Sequence, residues 1–62
     1  MADNEESGYL IEFIQFGKQV KATAVDPKTM REVSTITPAN LPREEMIRLA
    51  VQKLEYVLNK ES

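Results

Sequence analysis

Few side chains in this sequence could do chemistry. Its 62 residues include no histidine and no cysteine, which removes the commonest general base, the thiolate nucleophile and the usual zinc ligands. Ser34 and Ser62 therefore have no histidine to activate them. Glu12 and Glu32 lie on different predicted strands, where ion pairs with bases such as Lys21 are favoured over a catalytic dyad. We expect no enzymatic activity, no metal site and no cofactor.

Basic residues on the two predicted hairpins are the remaining candidates for a binding site. They are Lys18, Lys21, Lys28 and Arg31. Aromatic side chains at Tyr9 and Phe16 could add stacking surfaces for nucleic-acid bases. However, the first seven residues carry three of the ten acids and no base, so eight bases face seven acids in the rest of the chain. Nucleic-acid binders are usually far more basic, so weak RNA or DNA binding is only the alternative interpretation.

The first seven residues are polar and acidic, and we predict a disordered tail at residues 1–7. A single domain is predicted at residues 8–62. The tail lacks the basic and apolar regions of a signal peptide, and no apolar run approaches the roughly 20 residues that cross a bilayer. These features predict a cytoplasmic protein without membrane contact. A domain this short has a small core, so it needs very good packing or a partner chain.

The stretch from Tyr9 to Phe16 organises the domain, because it alternates like a strand but is apolar on both faces. One face carries Tyr9, Ile11 and Phe13, and the other carries Leu10, Ile14 and Phe16. Gly17 suits the first central position of a two-residue type II′ turn. That turn predicts a second strand from Gln19 to Val25, in a register that sets Phe13 opposite Ala22.

A second turn is predicted at residues 26–31, where the Asp26 side chain can accept hydrogen bonds from backbone donors two residues on. The last loop residue, Met30, is predicted to be left-handed, a conformation that suits glycine or asparagine better. The third strand is predicted at residues 32–37. Pro38 is expected to end strand pairing.

The last predicted element is a helix from Pro42 to Asn59. Proline suits the first turn, and the two acids that follow it suit the positive end of the helix dipole. Most of its apolar side chains fall within one arc of roughly 140°. They are Met46, Ile47, Ala50, Val51, Leu54, Val57 and Leu58. Leu49 and Tyr56 fall outside this arc and form a second, narrow apolar stripe.

Together these elements predict an α+β fold in which a three-stranded antiparallel sheet is followed by one C-terminal helix, in the order β-β-β-α. One helix covers only one face of the sheet. The second face keeps Leu10, Ile14, Phe16, Val25 and Ile36. Burying these five side chains is worth on the order of 7–15 kcal/mol, at roughly 1.5–3 kcal/mol each, which rivals the stability of a whole domain.

The second face therefore predicts a small homodimeric interaction module. Either the sheets pack back to back, or the first strand or the helix exchanges to give an intertwined, segment-swapped dimer. The predicted dimer interface consists of Leu10, Ile14, Phe16, Val25, Ile36, Leu49 and Tyr56. Two other outcomes stay open: a monomer whose apolar face is shielded by the tail, and a subunit that docks this face on a different protein.

Several short segments between Tyr9 and Leu58 have a characteristic combination of residues. They are Glu12-Phe13-Ile14-Gln15 before Gly17, Val25-Asp26-Pro27, Glu32-Val33, Pro42-Arg43-Glu44-Glu45, Leu49-Ala50 and Lys53-Leu54-Glu55-Tyr56-Val57-Leu58. In these segments the sequence resembles a family of short alphaproteobacterial proteins of unknown function. Where such sequences often carry glycine at the hairpin corner, this one has Met30. The resemblance implies a small β-hairpin-plus-helix protein, and it supplies no activity and no site residues.

Overall fold

The computed structural model describes residues 8–61 as three strands and one helix in the order β-β-β-α. The elements are β1 at Leu10–Phe16, β2 at Gln19–Asp26, β3 at Arg31–Pro38 and α1 at Arg43–Glu61. The strands form one antiparallel sheet in the order β1-β2-β3. This architecture confirms the predicted α+β fold class. The tail predicted at residues 1–7 lies outside the described residues.

The β1–β2 hairpin turns at Gly17 and Lys18. Gly17 has a φ of 63°, whereas Lys18 is not among the residues with positive φ. Positive φ at the first central position alone is typical of a type II′ turn, as the sequence predicted. The turn sets Phe13 opposite Ala22, which is the predicted register. Because side chains alternate along a strand, this register fixes which residues of β1 face the helix.

The β2–β3 turn is held by the carboxylate of Asp26. Its Oδ1 accepts a hydrogen bond from the backbone N–H of Lys28, and its Oδ2 accepts one from the hydroxyl of Thr29, both at 3.1 Å. The backbone N–H of Met30 donates to the carbonyl oxygen of Asp26 at 2.7 Å. Met30 has a φ of 64°, so the last loop residue is left-handed, as predicted.

Replacing Met30 with glycine is expected to raise the free energy of unfolding by about 0.5–1 kcal/mol. A left-handed residue with a Cβ costs about 1–2 kcal/mol, and glycine removes this cost while losing more chain entropy on folding. Met30 is 75% exposed, so the change loses little packing. Urea unfolding checks the value, with Met30→Ala as a control that keeps the strained φ and stays near the wild type. Clear destabilisation by glycine would contradict this turn geometry.

The prediction that Pro38 ends strand pairing is wrong. Pro38 is the last residue of β3 and lies opposite Gln19 of β2. Hydrogen-bonded and non-hydrogen-bonded pairs alternate along an antiparallel ladder. Counting from the turn makes Gln19 and Pro38 a non-hydrogen-bonded pair. The missing N–H of proline would therefore point to the free edge of the sheet, where no partner strand needs it.

α1 packs on one face of the sheet, chiefly over β2 and β3. The core consists of Val20, Ala22, Ala24, Met46, Ala50 and Leu54. Ala22, Ala24 and Ala50 are fully buried, and their small side chains let the helix backbone approach β2 closely. Larger side chains pack beside this core along β1, the strand that the helix covers least. They are Ile11 and Phe13 of β1 and Tyr9, which precedes this strand.

The helix begins one residue later than predicted and ends two residues later, at Glu61. At its start, the carbonyl oxygen of Pro42 accepts hydrogen bonds from the backbone N–H groups of Glu45 and Met46, at 3.0 and 3.1 Å. At its end, Nε of Arg31 lies 2.8 Å from Oε1 of Glu61. Because both side chains are about half exposed, this ion pair contributes only about 0.2–1 kcal/mol. It links the last turn of α1 to the start of β3.

The buried hydroxyl of Thr37 is expected to lower the stability of the domain. The Thr37 side chain is 3% exposed, and its Oγ1 has no hydrogen-bond partner among the described residues. Burying an unpaired hydroxyl costs about 1–3 kcal/mol. We expect Thr37→Val, which keeps the shape and removes the hydroxyl, to raise the free energy of unfolding by about 1 kcal/mol.

A second threonine on the same face of β3 provides the control for this prediction. Thr35 is only half-buried, so Thr35→Val should change stability less than Thr37→Val. Urea unfolding of both variants measures the difference. A Thr37→Val protein that is less stable than the wild type would show that the Thr37 hydroxyl is satisfied in solution.

Candidate interaction surfaces

Four large apolar side chains are exposed on the sheet face that α1 does not cover, which we call the open face. Leu10 is 55% exposed, Ile14 48%, Phe16 46% and Ile36 50%. The open face consists of Leu10, Glu12, Ile14 and Phe16 of β1, Gln19, Lys21, Thr23 and Val25 of β2, and Glu32, Ser34, Ile36 and Pro38 of β3. All five apolar residues predicted for the second face lie on it, and Val25 is half-buried.

Polar side chains occupy the middle of the open face. The hydroxyl oxygens of Thr23 and Ser34 are 2.8 Å apart and share a hydrogen bond. Glu12 lies opposite Thr23, and Lys21 lies opposite Ile14. Glu12 and Lys21 are therefore diagonal neighbours on adjacent strands. The face combines one central acid and one central base with apolar side chains around them.

Leu49 and Tyr56 lie on a flank of α1, not on the open face. Lys53 is on the same flank, and its Nζ donates a hydrogen bond to the carbonyl oxygen of Ser34 at 2.7 Å, so this flank lies beside β3. Leu49 is half-buried, whereas Tyr56 is 64% exposed, with Nζ of Lys60 5.6 Å from its ring centroid. The sheet separates this flank from the open face. The seven predicted interface residues therefore divide into two surfaces.

The structure does not bring the four predicted nucleic-acid contacts together. Lys18 is in the β1–β2 turn and Lys28 is in the β2–β3 turn, at opposite ends of the eight-residue strand β2. At about 3.3 Å per residue, that separation is roughly 26 Å. Lys21 lies on the open face, and the guanidinium of Arg31 is paired with Glu61. No compact basic patch forms from these four residues.

The two carboxylates considered for catalysis also stay apart. Glu12 is on β1 and Glu32 is on β3, so β2 lies between them. Two strand spacings amount to about 10 Å. Among residues 8–61, no group of three or more His, Cys, Asp or Glu side chains is placed to hold a metal ion.

A groove between β1 and the start of α1 was not predicted from the sequence. It holds a shallow cavity of about 350 Å³, lined in part by Phe13, Leu41 and Met46. The guanidinium carbon of Arg43 lies 4.8 Å from the centroid of the Phe13 ring, a cation–π contact at the rim of the groove. The two residues are thirty positions apart, and no local pattern indicates that they meet.

A separate shallow cavity near the C-terminal end of α1 is lined in part by Tyr9, Glu55 and Leu58. Burial raises the pKa of the Tyr9 hydroxyl above its usual value of 10.0, and the negative charges of Glu55 and Asp26 raise it further. Tyr9 is therefore neutral at physiological pH. Its ring acts as an apolar flank of the core at this end.

Residues 8–61 contain no helix that is long and apolar enough to cross a bilayer. Neither a curated protein nor a solved structure matches the chain significantly. One family model does match: a domain of unknown function, DUF6898, aligns with residues 6–61 and so covers most of the chain. The chain therefore belongs to the DUF6898 family of domains of unknown function.

Proposed function

We propose that this chain is a non-enzymatic interaction module that self-associates through its open face. One observation carries the proposal: Leu10, Ile14, Phe16 and Ile36 are each about half exposed on a single face. Exposed apolar side chains are ordinary when they are scattered over the whole surface. Several on one sheet face favour a contact surface, even with polar side chains between them. A cytoplasmic location and a bacterial source are predictions from the sequence alone.

The size of the apolar patch limits how tight such a contact is. Each of these four side chains has already lost about half of its accessible surface, so association gains about half of the usual 1.5–3 kcal/mol per side chain. A symmetric pair hides eight of them, which gives on the order of 6–12 kcal/mol. Association costs about 4–15 kcal/mol in lost freedom. The net gain is therefore at most about 8 kcal/mol, so we expect a dissociation constant of about 1 μM or weaker, decided by how well the faces fit.

The charges on the open face favour a second copy of this chain as the occupant. Two open faces can stack around a two-fold axis that lies between the sheets and runs perpendicular to the strands. The Leu10 end of one face then lies over the Phe16 end of the other. The Glu12 carboxylate of each copy then approaches the Lys21 ammonium of its mate. One face thus supplies both the acid and the base, and the contact is self-complementary.

The variant Ile14→Glu tests this proposal. Ile14 is half exposed and lies opposite Lys21, so the new carboxylate is tolerated in a single chain. In an apolar contact the same carboxylate costs several kcal/mol, and about 1.4 kcal/mol is tenfold in affinity. We expect face-to-face association to weaken by roughly 100-fold or more, seen by light scattering as a lower mass at micromolar concentration.

Tyr56→Glu is the matched control, because it adds the same charge at an exposed apolar position on the flank of α1. It should leave the mass unchanged. If Tyr56→Glu lowers the mass and Ile14→Glu does not, the contact lies on the helix flank. A segment-swapped dimer would keep its mass in both variants, because exchanged core packing does not depend on either side chain. Binding to nucleic acid would instead weaken steeply with added salt.

A further inference from the structure

The register of the sheet determines which backbone groups point away from it at its two edges. The two-residue turn makes Phe16 and Gln19 a hydrogen-bonded pair, and bonded pairs then alternate along β1. The N–H and C=O groups of Ile11, Phe13 and Gln15 therefore point away from β2. On β3 the outward-pointing groups belong to Glu32, Ser34, Ile36 and Pro38.

The β3 edge is blocked against another strand. The carbonyl oxygen of Ser34 accepts a hydrogen bond from Nζ of Lys53 at 2.7 Å, which confirms that this group points outward and fills it. Pro38 has no N–H to donate. A lysine lying across an edge and a proline within it are two of the usual devices that prevent strand addition.

Among residues 8–61, neither of these devices is present at the β1 edge. β1 has seven residues, Leu10–Phe16, with no proline or glycine and with Glu12 as its one charged residue. Its pairing with β2 is continuous, without a bulge. A flat, largely apolar edge of this kind is a template for another strand. The three residues whose backbone groups point outward alternate along β1 with residues whose side chains lie on the open face, among them the half-exposed Leu10, Ile14 and Phe16.

We propose that β1 pairs in antiparallel fashion with β1 of a second copy of this chain, so that two three-stranded sheets join into one of six strands. A two-fold axis at Phe13 sets Ile11 of one copy opposite Gln15 of the other. This register uses all three outward pairs and forms six backbone hydrogen bonds. An axis at Glu12 would place the two Glu12 side chains directly opposite each other, which is destabilising.

The difference between the two edges identifies the occupant. Because β3 is blocked, β1 cannot add to the β3 of another copy and extend into an open fibre. Among the described residues, the one strand edge that is exposed and unblocked is that of β1. Pairing this edge with the same edge of a second copy closes the assembly. This contact is separate from the open face and goes beyond the function proposed above. Both contacts together give a closed assembly of four chains.

Proline at position 15 tests the edge contact. The N–H of Gln15 points outward, so Gln15→Pro removes a donor from the proposed contact without removing one from the β1–β2 ladder. Glu32→Pro is the matched control, since it removes an outward donor from the blocked β3 edge. Both changes are made in an Ile36→Glu background. This carboxylate lies opposite Lys21 on the open face, so it prevents face-to-face association without entering the β1–β1 contact. Circular dichroism first establishes that each variant is folded.

We expect the Ile36→Glu chain to sediment as a dimer at high micromolar concentration. Adding Glu32→Pro should leave the dimer intact, and adding Gln15→Pro should give a monomer, with at least a tenfold loss in association. A dimer that survives Gln15→Pro would overturn the proposal. A monomeric Ile36→Glu chain would overturn it as well, without bearing on the open face, which the wild type tests.

Amide hydrogen exchange decides the question even if Gln15→Pro fails to fold. In the Ile36→Glu chain, the amides of Ile11, Phe13 and Gln15 should exchange at least tenfold more slowly at high concentration than after dilution. The amides of Glu32 and Ser34, on the blocked edge, should exchange at a rate independent of concentration. Equal, concentration-independent exchange at both edges would overturn the proposal.

Discussion

Replacing Leu54 with alanine is expected to lower the free energy of unfolding by about 2–5 kcal/mol. Leu54 is fully buried, and it is the largest side chain of which this is true in the described part of the chain. Its loss removes transfer free energy and leaves a cavity between α1 and the sheet. Small domains have about 5 kcal/mol or a little more in total, so the variant should be close to unfolding. Urea unfolding followed by circular dichroism measures the change.

Leu49→Ala is the control for this change, since it makes the same substitution in the same helix. Leu49 is only half-buried on the flank of α1, so its loss should cost clearly less. If the two variants were equally destabilised, the helix would be rotated from the orientation described here.

Replacing Ala50 with leucine is expected to destabilise the domain by about 1–3 kcal/mol or more. Ala50 is fully buried in the core with Ala22 and Ala24, and the small size of these side chains lets the helix lie close to β2. Leucine adds volume that the packed interface cannot accept without moving the helix away from the sheet. The gain in helix propensity is nil, because alanine is already the best helix former. Thermal unfolding measures the loss.

Gln52→Leu separates overpacking from any general effect of a leucine in α1. Gln52 is exposed, so leucine there should change the free energy of unfolding by less than about 0.5 kcal/mol. A harmless Ala50→Leu change would mean that the helix does not approach β2 closely.

The fold could be predicted from the sequence because its signals are local. Gly17 and the loop ending at Met30 fix the two turns, and each turn fixes the register of the strands that it joins. Register then fixes the face of every side chain, so the open face followed directly. The helix arc followed from its period, and the buried side chains of α1, which are Met46, Ala50 and Leu54, all lie within it.

The contacts between distant elements could not be predicted in this way. The Arg43–Phe13 contact, the Lys53–Ser34 hydrogen bond and the groove beside β1 depend on where the helix lies across the sheet. The helix lies toward β3 because the large side chains of β1 hold it away from that strand. The small side chains of β2 let it approach the sheet closely on the β3 side. The sequence pattern gives the apolar arc of α1 but not this lateral position. For that reason the sequence pattern does not show whether Leu49 and Tyr56 lie on the same surface as the open face.

Pro38 shows a different limit of sequence reasoning. Proline is a reliable sign against a central strand. In an edge strand its effect depends on parity, that is, on whether its backbone nitrogen points toward the neighbouring strand or away from it. Pro38 falls at a position whose N–H would point outward, so β3 includes it. The same parity identifies the outward groups of β1. A register counted from the turns therefore predicts which backbone groups point outward at each edge.

Sedimentation equilibrium of the unmodified chain, from low to high micromolar concentration, tests the central claim most directly. We expect a mass above that of one 7.1 kDa chain, rising with concentration toward a closed assembly. A single-chain mass at every concentration would contradict self-association through the open face. The apolar side chains of that face would then have to be assigned to a different occupant.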